Sequence, residues 1–246
     1  MKQYGLIGMP LGHSFSQKYF TEKFASEQID AKYDLYPLNN IEEVVTLIKN
    51  NPNLVGLNVT IPYKQQIIPY LDELDAEAEK VGAVNVIKIS RGNNQIHLKG
   101  YNSDIYGFYH SIKPMLKPWH TKALVLGTGG ASKAISAMLQ KLNIKVTFVS
   151  RTPAENQITY ADLNEKIITE HTVIVNCSPV GTFPNVNNCP DIPYQFITLQ
   201  HLVYDLVYNP EITLFLKKAK QQGATTKNGL EMLHRQAEAA WKYWNE

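Results

Sequence analysis

Apolar residues follow two rhythms in this chain, short continuous runs and stripes repeating every three to four residues, and the two alternate from end to end. The runs at residues 4–8, 33–37, 54–59, 82–87, 122–126, 145–149, 172–176 and 202–206 predict strands. The stripes predict helices: residues 17–28 carry Phe20 and Phe24 on one face, and 41–50 places Ile41, Val44, Val45 and Ile48 at i, i+3, i+4 and i+7. Further helices are expected over 72–81, 131–142, 211–222 and 230–244. Strands that alternate with helices make an α/β fold with parallel pairing. Turn residues punctuate the pattern. Asn51-Pro52-Asn53 breaks the chain, Arg91-Gly92-Asn93-Asn94 turns a hairpin that returns through 95–98, and Gly223 ends a helix.

The stretch 122–152 is the most informative. Lys122 to Leu126 is a run of the kind buried on both faces of a parallel sheet, and it stops directly at Gly127-Thr128-Gly129-Gly130. Glycine there lets the backbone turn sharply and approach a pyrophosphate closely. The helix opening at Ala131 would then aim its N–H groups at the phosphates. Ser132 holds the third position of G-x-G-x-x-G, and a glycine run alone is weak evidence. The strand before it and the helix and strand after it make this a nucleotide-binding βαβ unit. Where an NAD site usually carries Asp or Glu, the second strand ends in Ser150-Arg151-Thr152. An arginine there suits the 2′-phosphate of NADP better than it suits a bare ribose.

Polar residues that interrupt apolar runs are the other candidates. Ser14 and Ser16 crowd one helix start, which needs a single cap, and we expect Ser16 to supply it. Asn58, Thr60 and Lys64 gather at the end of the 54–59 strand, either as a polar turn or as a ligand site. Asn85 sits in an apolar run, so it either pairs with backbone in the core or faces a ligand. Ser103 or Asp104 is placed to start a helix through His110. Gln236 is a polar exception among the core residues Leu230, Leu233, Ala237, Ala240, Trp241 and Trp244. The Pro, Gly and Asn-rich segment 178–193 reads as a loop beside the cofactor.

Composition narrows the class. The 246 residues are 44% hydrophobic, enough for one large or two modest cores. A net charge of +2 without blocks of like charge leaves no footprint for nucleic acid or a membrane surface. Neither a signal-peptide pattern nor a bilayer-length apolar run is evident, and Cys177 and Cys189 are too few for a disulfide framework. A cytoplasmic protein is therefore expected. No Cys/His cluster has metal spacing.

The segments GMPLGHSFS, LNVTIPYK, GAVNVI, GYNSDIYG, VLGTGGAS, SRT, NCSPVG, YDLVYNP and NGLEMLHRQA, in this order from near the first residue to the last, resemble shikimate dehydrogenase. The resemblance implies NADPH-dependent reduction of 3-dehydroshikimate to shikimate in aromatic amino-acid biosynthesis. It implies an α/β substrate domain over 1–102 and 229–246, a Rossmann NADP-binding domain over 103–228, and a last helix that returns to the first domain. Lys64 and Asp104 would be the catalytic pair, in a substrate pocket with Ser14, Ser16, Asn58, Thr60, Asn85, Tyr208 and Gln236. Cofactor contacts would fall on Gly127, Thr128, Gly129, Gly130, Ala131, Ser150, Arg151, Thr152, Leu206 and Gly229. Gln17 stands where many members have proline, and Ser103 replaces the usual threonine. Pro153-Ala154-Glu155 lacks a second arginine common in NADP-using members, and a carboxylate there weakens 2′-phosphate binding. Two alternatives are a broader quinate/shikimate dehydrogenase using NAD or NADP, and a catalytically silent nucleotide-binding sensor, which would lack Lys64 or Asp104. A monomer and a homodimer fit equally, since Trp241 and Trp244 serve a core or a partner.

Overall fold

Strand and helix alternate as the two apolar rhythms predict in a computed structural model, which describes residues 1–12, 14–92, 95–152 and 155–246. His13, the hairpin residues Asn93 and Asn94, and Pro153-Ala154 lie outside the described residues. Contacts divide the chain into two units, Met1–Ser103 with Gln236–Glu246, and Asp104–Arg235.

The first unit runs β1 (Lys2–Gly8), α1 (Phe15–Ser26), β2 (Ala31–Pro37), α2 (Glu43–Asn50), β3 (Leu54–Val59), β4 (Glu73–Leu74), α3 (Ala76–Val81), β5 (Val86–Gly92) and β6 (Gln95–Tyr101). Its sheet has the order β2-β1-β3-β5-β6-β4. The first three strands pair in parallel, and the β5–β6 hairpin joins β3 antiparallel. Ile7, Leu57, Val59 and Ile87 fill one side of this sheet with Val44 and Ile48 of α2. Tyr4, Phe20, Phe24, Tyr33 and Trp244 make an aromatic core on residues of β1, α1, β2 and the C-terminal helix.

The second unit continues with α4 (Ser103–Ile112), β7 (Lys122–Leu126), α5 (Gly130–Lys141), β8 (Lys145–Ser150), β9 (Gln157–Thr159), α6 (Glu165–Glu170), β10 (Val173–Asn176), β11 (Leu202–Asp205), α7 (Leu214–Gln221) and β12 (Thr225–Lys227), and the last helix, α8 (Leu230–Asn245), belongs to the first unit from Gln236 onward. All its strands are parallel, in the order β12-β11-β10-β7-β8-β9. Counted from β7, that is the doubly wound order 3-2-1-4-5-6, in which the connections diverge between β7 and β10. Ligands of such sheets bind at the carboxyl ends of the strands beside that divergence. The glycine turn follows β7 at that place.

Several helix limits differ from expectation, each for a local reason. Ser14, not Ser16, caps α1, its hydroxyl accepting from the Gln17 N–H at 3.3 Å. The helix expected over 72–81 shortens to α3, because Glu73 and Leu74 pair instead with Lys99 and Gly100 and Asp75 becomes the cap. The helix expected from 211 starts at Leu214, where the Thr213 hydroxyl takes the Leu216 N–H at 3.3 Å. Leu230, expected in the core, is exposed.

Candidate functional site

Of the expected substrate residues in the first unit, Asn58, Asn85 and Gln236 join one line of hydrogen bonds. Ser16, in the first turn of α1, has its hydroxyl beside the Tyr33 phenol. Tyr33 in turn donates to Asn58 Oδ1 at 2.7 Å, and Asn58 Nδ2 donates to the Asn85 carbonyl at 3.3 Å. Asn85 is the hub. Its Nδ2 donates to Ser103 Oγ at 3.0 Å and to Gln236 Oε1 at 3.2 Å, while its Oδ1 accepts the Ser103 N–H at 2.7 Å. Three expected residues spread over 178 positions of sequence, Asn58, Asn85 and Gln236, thus share one network. Burial pushes the Tyr33 phenol far above its ordinary range, so it stays a neutral donor within this line.

The strand ends explain how these side chains are held. Asn58 lies near the end of β3, and Val59 N–H donates to the Asn85 carbonyl at 2.9 Å, which ties the β3 end to the start of β5. Thr60 N–H donates to the Ile7 carbonyl at 2.9 Å, and the Thr60 methyl covers Gly8, where an added Cβ would lie 2.4 Å away. Lys64 is half-buried in the following turn. Its carbonyl accepts the Val84 N–H at 2.7 Å, which fixes its backbone one residue from the hub. Ser14 stays outside the network as the α1 cap.

The second unit holds Asp104, buried in the first turn of α4, and Tyr208, half-buried past β11. Burial pushes the Tyr208 phenol up, so it too remains protonated. Burial also raises the Cys177 thiol, with the Asp205 and Asp104 carboxylates adding to the effect. A thiol held protonated is no nucleophile.

Around the glycine turn, each expected cofactor position has room or backbone to offer. Gly127 has φ +107°, and an added Cβ would lie 3.4 Å from the Ser178 nitrogen, so only glycine fits comfortably. Its N–H donates to the Val149 carbonyl at 2.9 Å, joining the turn to β8. Nothing lies within 4 Å of a Cβ built on Gly129, an open space at the N-terminus of the twelve-residue α5. The missing third glycine is accommodated because Ser132 is buried and its hydroxyl donates back to the Gly129 carbonyl at 2.6 Å. Thr128 is exposed, and Gly130 and Ala131 open α5. Ser150 and Thr152 flank the exposed Arg151, with the Thr152 N–H donating to Ser150 Oγ at 3.3 Å. Across the sheet, Gly229 presses on Leu206: an added Cβ would lie 2.2 Å from the Leu206 carbonyl oxygen. A glycine-lined strand end with free helix N–H groups and an adjacent arginine fits a dinucleotide carrying a 2′-phosphate.

Tyr33 and Ser103 are the residues that sequence reasoning passed over as site members. Tyr33 reads as an ordinary aromatic of β2. A cavity of about 580 Å³ elsewhere in the second unit, between Asn187, Asn188 and Lys218, includes none of the expected site residues.

Comparisons with known proteins agree with this geometry. A family model for the shikimate dehydrogenase substrate binding domain matches residues 6–87. A protein of Desulforamulus reducens named shikimate dehydrogenase (NADP(+)) is 34% identical over 98% of this chain and 88% of its own. A crystal structure of shikimate dehydrogenase in complex with NADP+ superposes with a TM-score of 0.87 at 30% identity, covering 99% of this chain and 89% of that one. The shikimate 5-dehydrogenase of Thermus thermophilus, in complex with NADP(H) and shikimate, gives 0.85 at 28% identity over 99% of this chain and 93% of that one.

Proposed function

The chain belongs to the shikimate dehydrogenase (NADP+) family, and from that premise we propose that its first unit binds 3-dehydroshikimate and its second binds NADPH. The protein is an oxidoreductase acting on a CH–OH group, reducing 3-dehydroshikimate to shikimate for aromatic amino-acid biosynthesis. The hydrogen-bond line from Tyr33 through Asn58 and Asn85 to Gln236 carries the reading. A polyhydroxylated ring is discriminated by donors and acceptors held in fixed directions, since a substrate lacking a hydroxyl leaves one of them unsatisfied. Amides locked to each other and to backbone supply such directions at little entropic cost.

Bound NADPH supplies the hydride. Gly127 to Ala131 and the N-terminus of α5 would hold its phosphates, Arg151 with Ser150 and Thr152 would hold the 2′-phosphate, and Leu206 and Gly229 would offer a backbone wall. As the carbonyl oxygen of the substrate gains negative charge, it needs a positioned cation and a proton. Lys64 supplies both from Nζ, and Asp104, the second member of the proposed catalytic pair, offers a carboxylate that accepts from a substrate hydroxyl. Ser14, Thr60 and Tyr208 complete the substrate contacts.

Steady-state rates over a matrix of 3-dehydroshikimate, shikimate and quinate against both cofactors test the reading in wild type and Lys64→Ala. Loss of a general acid lowers kcat by about 10²–10⁴-fold. A Lys64→Ala protein with near wild-type kcat would falsify the assignment. Glu155, exposed just past Arg151, favours a second reading in which NAD(H) is also used and quinate is a further substrate, and the same matrix separates it. The sensor alternative predicts no turnover in any cell of the matrix. Among the described residues no helix is long and apolar enough to cross a membrane. We place the protein in the cytoplasm, as a monomer or homodimer acting on a small molecule.

A further inference from the structure

Asp205 is fully buried at the end of β11, and it belongs to none of the contacts expected of substrate or cofactor. Three donors converge on it. Asn176 Nδ2 and the Val207 N–H reach Oδ1 at 2.9 and 3.0 Å, and the Thr213 hydroxyl reaches Oδ2 at 2.6 Å. Asn176, its register partner at the end of β10, is also fully buried. The Asn176 Oδ1 accepts from the Ser178 N–H at 3.0 Å and the Ser178 hydroxyl at 2.6 Å. Ser178 is the residue whose nitrogen sits against Gly127. On the other side, the Val207 carbonyl takes the Gly229 N–H at 3.3 Å, and Gly229 abuts the Leu206 carbonyl.

We propose that Asp205 is a positioning residue of the cofactor crevice, setting Ser178 against Gly127 through Asn176 and Leu206 against Gly229 through the Val207 N–H. The proposal rests on the reading of that crevice as the NADP site. A purely stabilising role explains the arrangement poorly. Burying a carboxylate costs more than packing an apolar residue of similar size, and here burial pushes the carboxyl up to about 6 despite its three donors. What the carboxylate provides is direction. It fixes two turns at the ends of adjacent strands, β10 and β11, where a ligand must meet backbone closely. The Thr213 bond serves a different end, anchoring the cap of α7.

The test uses the full-length protein, with NADPH fluorescence titration and separate KM values for NADPH and 3-dehydroshikimate. Asp205→Ala removes every bond, and Asn176→Ala removes the link to Ser178 while leaving Val207 and Thr213 in place. Both are expected to weaken NADPH binding about tenfold, a typical cost for a buried hydrogen bond lost with its geometry, while KM for 3-dehydroshikimate stays within about twofold. Asp205→Asn keeps an oxygen for Asn176 and Val207 and turns its amide to Thr213 Oγ, so it should restore NADPH affinity. A folded Asp205→Ala or Asn176→Ala protein that binds NADPH as wild type does overturns the proposal, as does an Asp205→Asn protein as impaired as Asp205→Ala. If Asp205→Ala does not fold, Asn176→Ala decides alone. A wild-type protein with shikimate dehydrogenase activity on NADH but no NADPH binding refutes the cofactor reading itself, and the proposal with it.

Discussion

Arg151 shows how far a single residue can be read. Its place at the end of β8 follows from the strand's apolar run, and its exposure leaves the guanidinium facing solvent. Since NADPH and NADH differ only in the 2′-phosphate, Arg151→Ala should raise KM for NADPH about tenfold and KM for NADH little. Equal changes for the two cofactors would remove the 2′-phosphate contact from Arg151. Asn85 was legible only as an anomaly, a polar residue in an apolar run that had to pair with backbone or face a ligand. Its side chain does the first, Oδ1 accepting the Ser103 N–H, and its Nδ2 also donates to Ser103 Oγ and Gln236 Oε1. Those partners lie 18 and 151 residues away, and no local pattern points to them. Ser14 and Ser16 could not be told apart by type, because either hydroxyl can cap. The fold separates them, since Ser14 accepts from the Gln17 N–H as the cap while Ser16 lies beside the Tyr33 phenol.

Elements with long runs or stripes were readable, and those fixed by a distant partner were not. The strand at Leu54–Val59 matches expectation to the residue, while β9, α6 and β12, at three, six and three residues, are too short to carry a period. The late start of α7 at Leu214 depends on a cap that Asp205 holds. Helix α8 illustrates the energetics. Its Trp244 lies over Gly56 of β3 and donates from Nε1 to the Ile87 carbonyl at 3.0 Å. A Cβ on Gly56 would stand 2.6 Å from the indole. Gly56→Ala should therefore cost about 1–3 kcal/mol by overpacking, read as a lower urea midpoint with unchanged slope and altered tryptophan fluorescence. A wild-type midpoint would show that α8 yields without cost.

Across the whole molecule, stability against pH sums opposing terms in the second unit. Asp205 faces the Asn176 amide, the Val207 N–H and the Thr213 hydroxyl, with the Cys177 thiol nearby. Its carboxyl is raised to about 6, so on acidification the folded state binds a proton before the unfolded one does. That contribution is complete below the unfolded value and is lost as pH rises through about 6, a difference on the order of 3 kcal/mol at most. His120 and His171 act the other way. Each precedes a strand of the sheet, β7 and β10, and burial lowers both imidazoles. The His120 ring bonds the Lys117 N–H and the Gln200 carbonyl, and His171 bonds the Ile167 carbonyl and the Thr147 hydroxyl. The groups facing them, Lys117 and His201 for the first and Lys122 and Glu170 for the second, modulate these shifts less than burial does. Their stabilisation is present above the ordinary imidazole value and is lost as pH falls through the lowered one. Acidification from about pH 7 to about pH 5 should thus change the wild-type Tm less than that of Asp205→Asn, which keeps the histidine loss without the compensating gain. Parallel Tm curves for the two proteins would contradict the raised carboxyl.

Periodicity and short motifs suffice to define the α/β class, the glycine turn and the arginine beside it, because each is a matter of local spacing or residue type, whereas the expected substrate residues rest on the family resemblance. The joining of Asn58, Asn85 and Gln236 by hydrogen bonds, the place of Tyr33 among them, and the control of two cofactor-side turns by Asp205 belong to the folded chain. Hydrogen bonds depend on distance and direction between atoms, and these exist only after folding has brought residues far apart in sequence together.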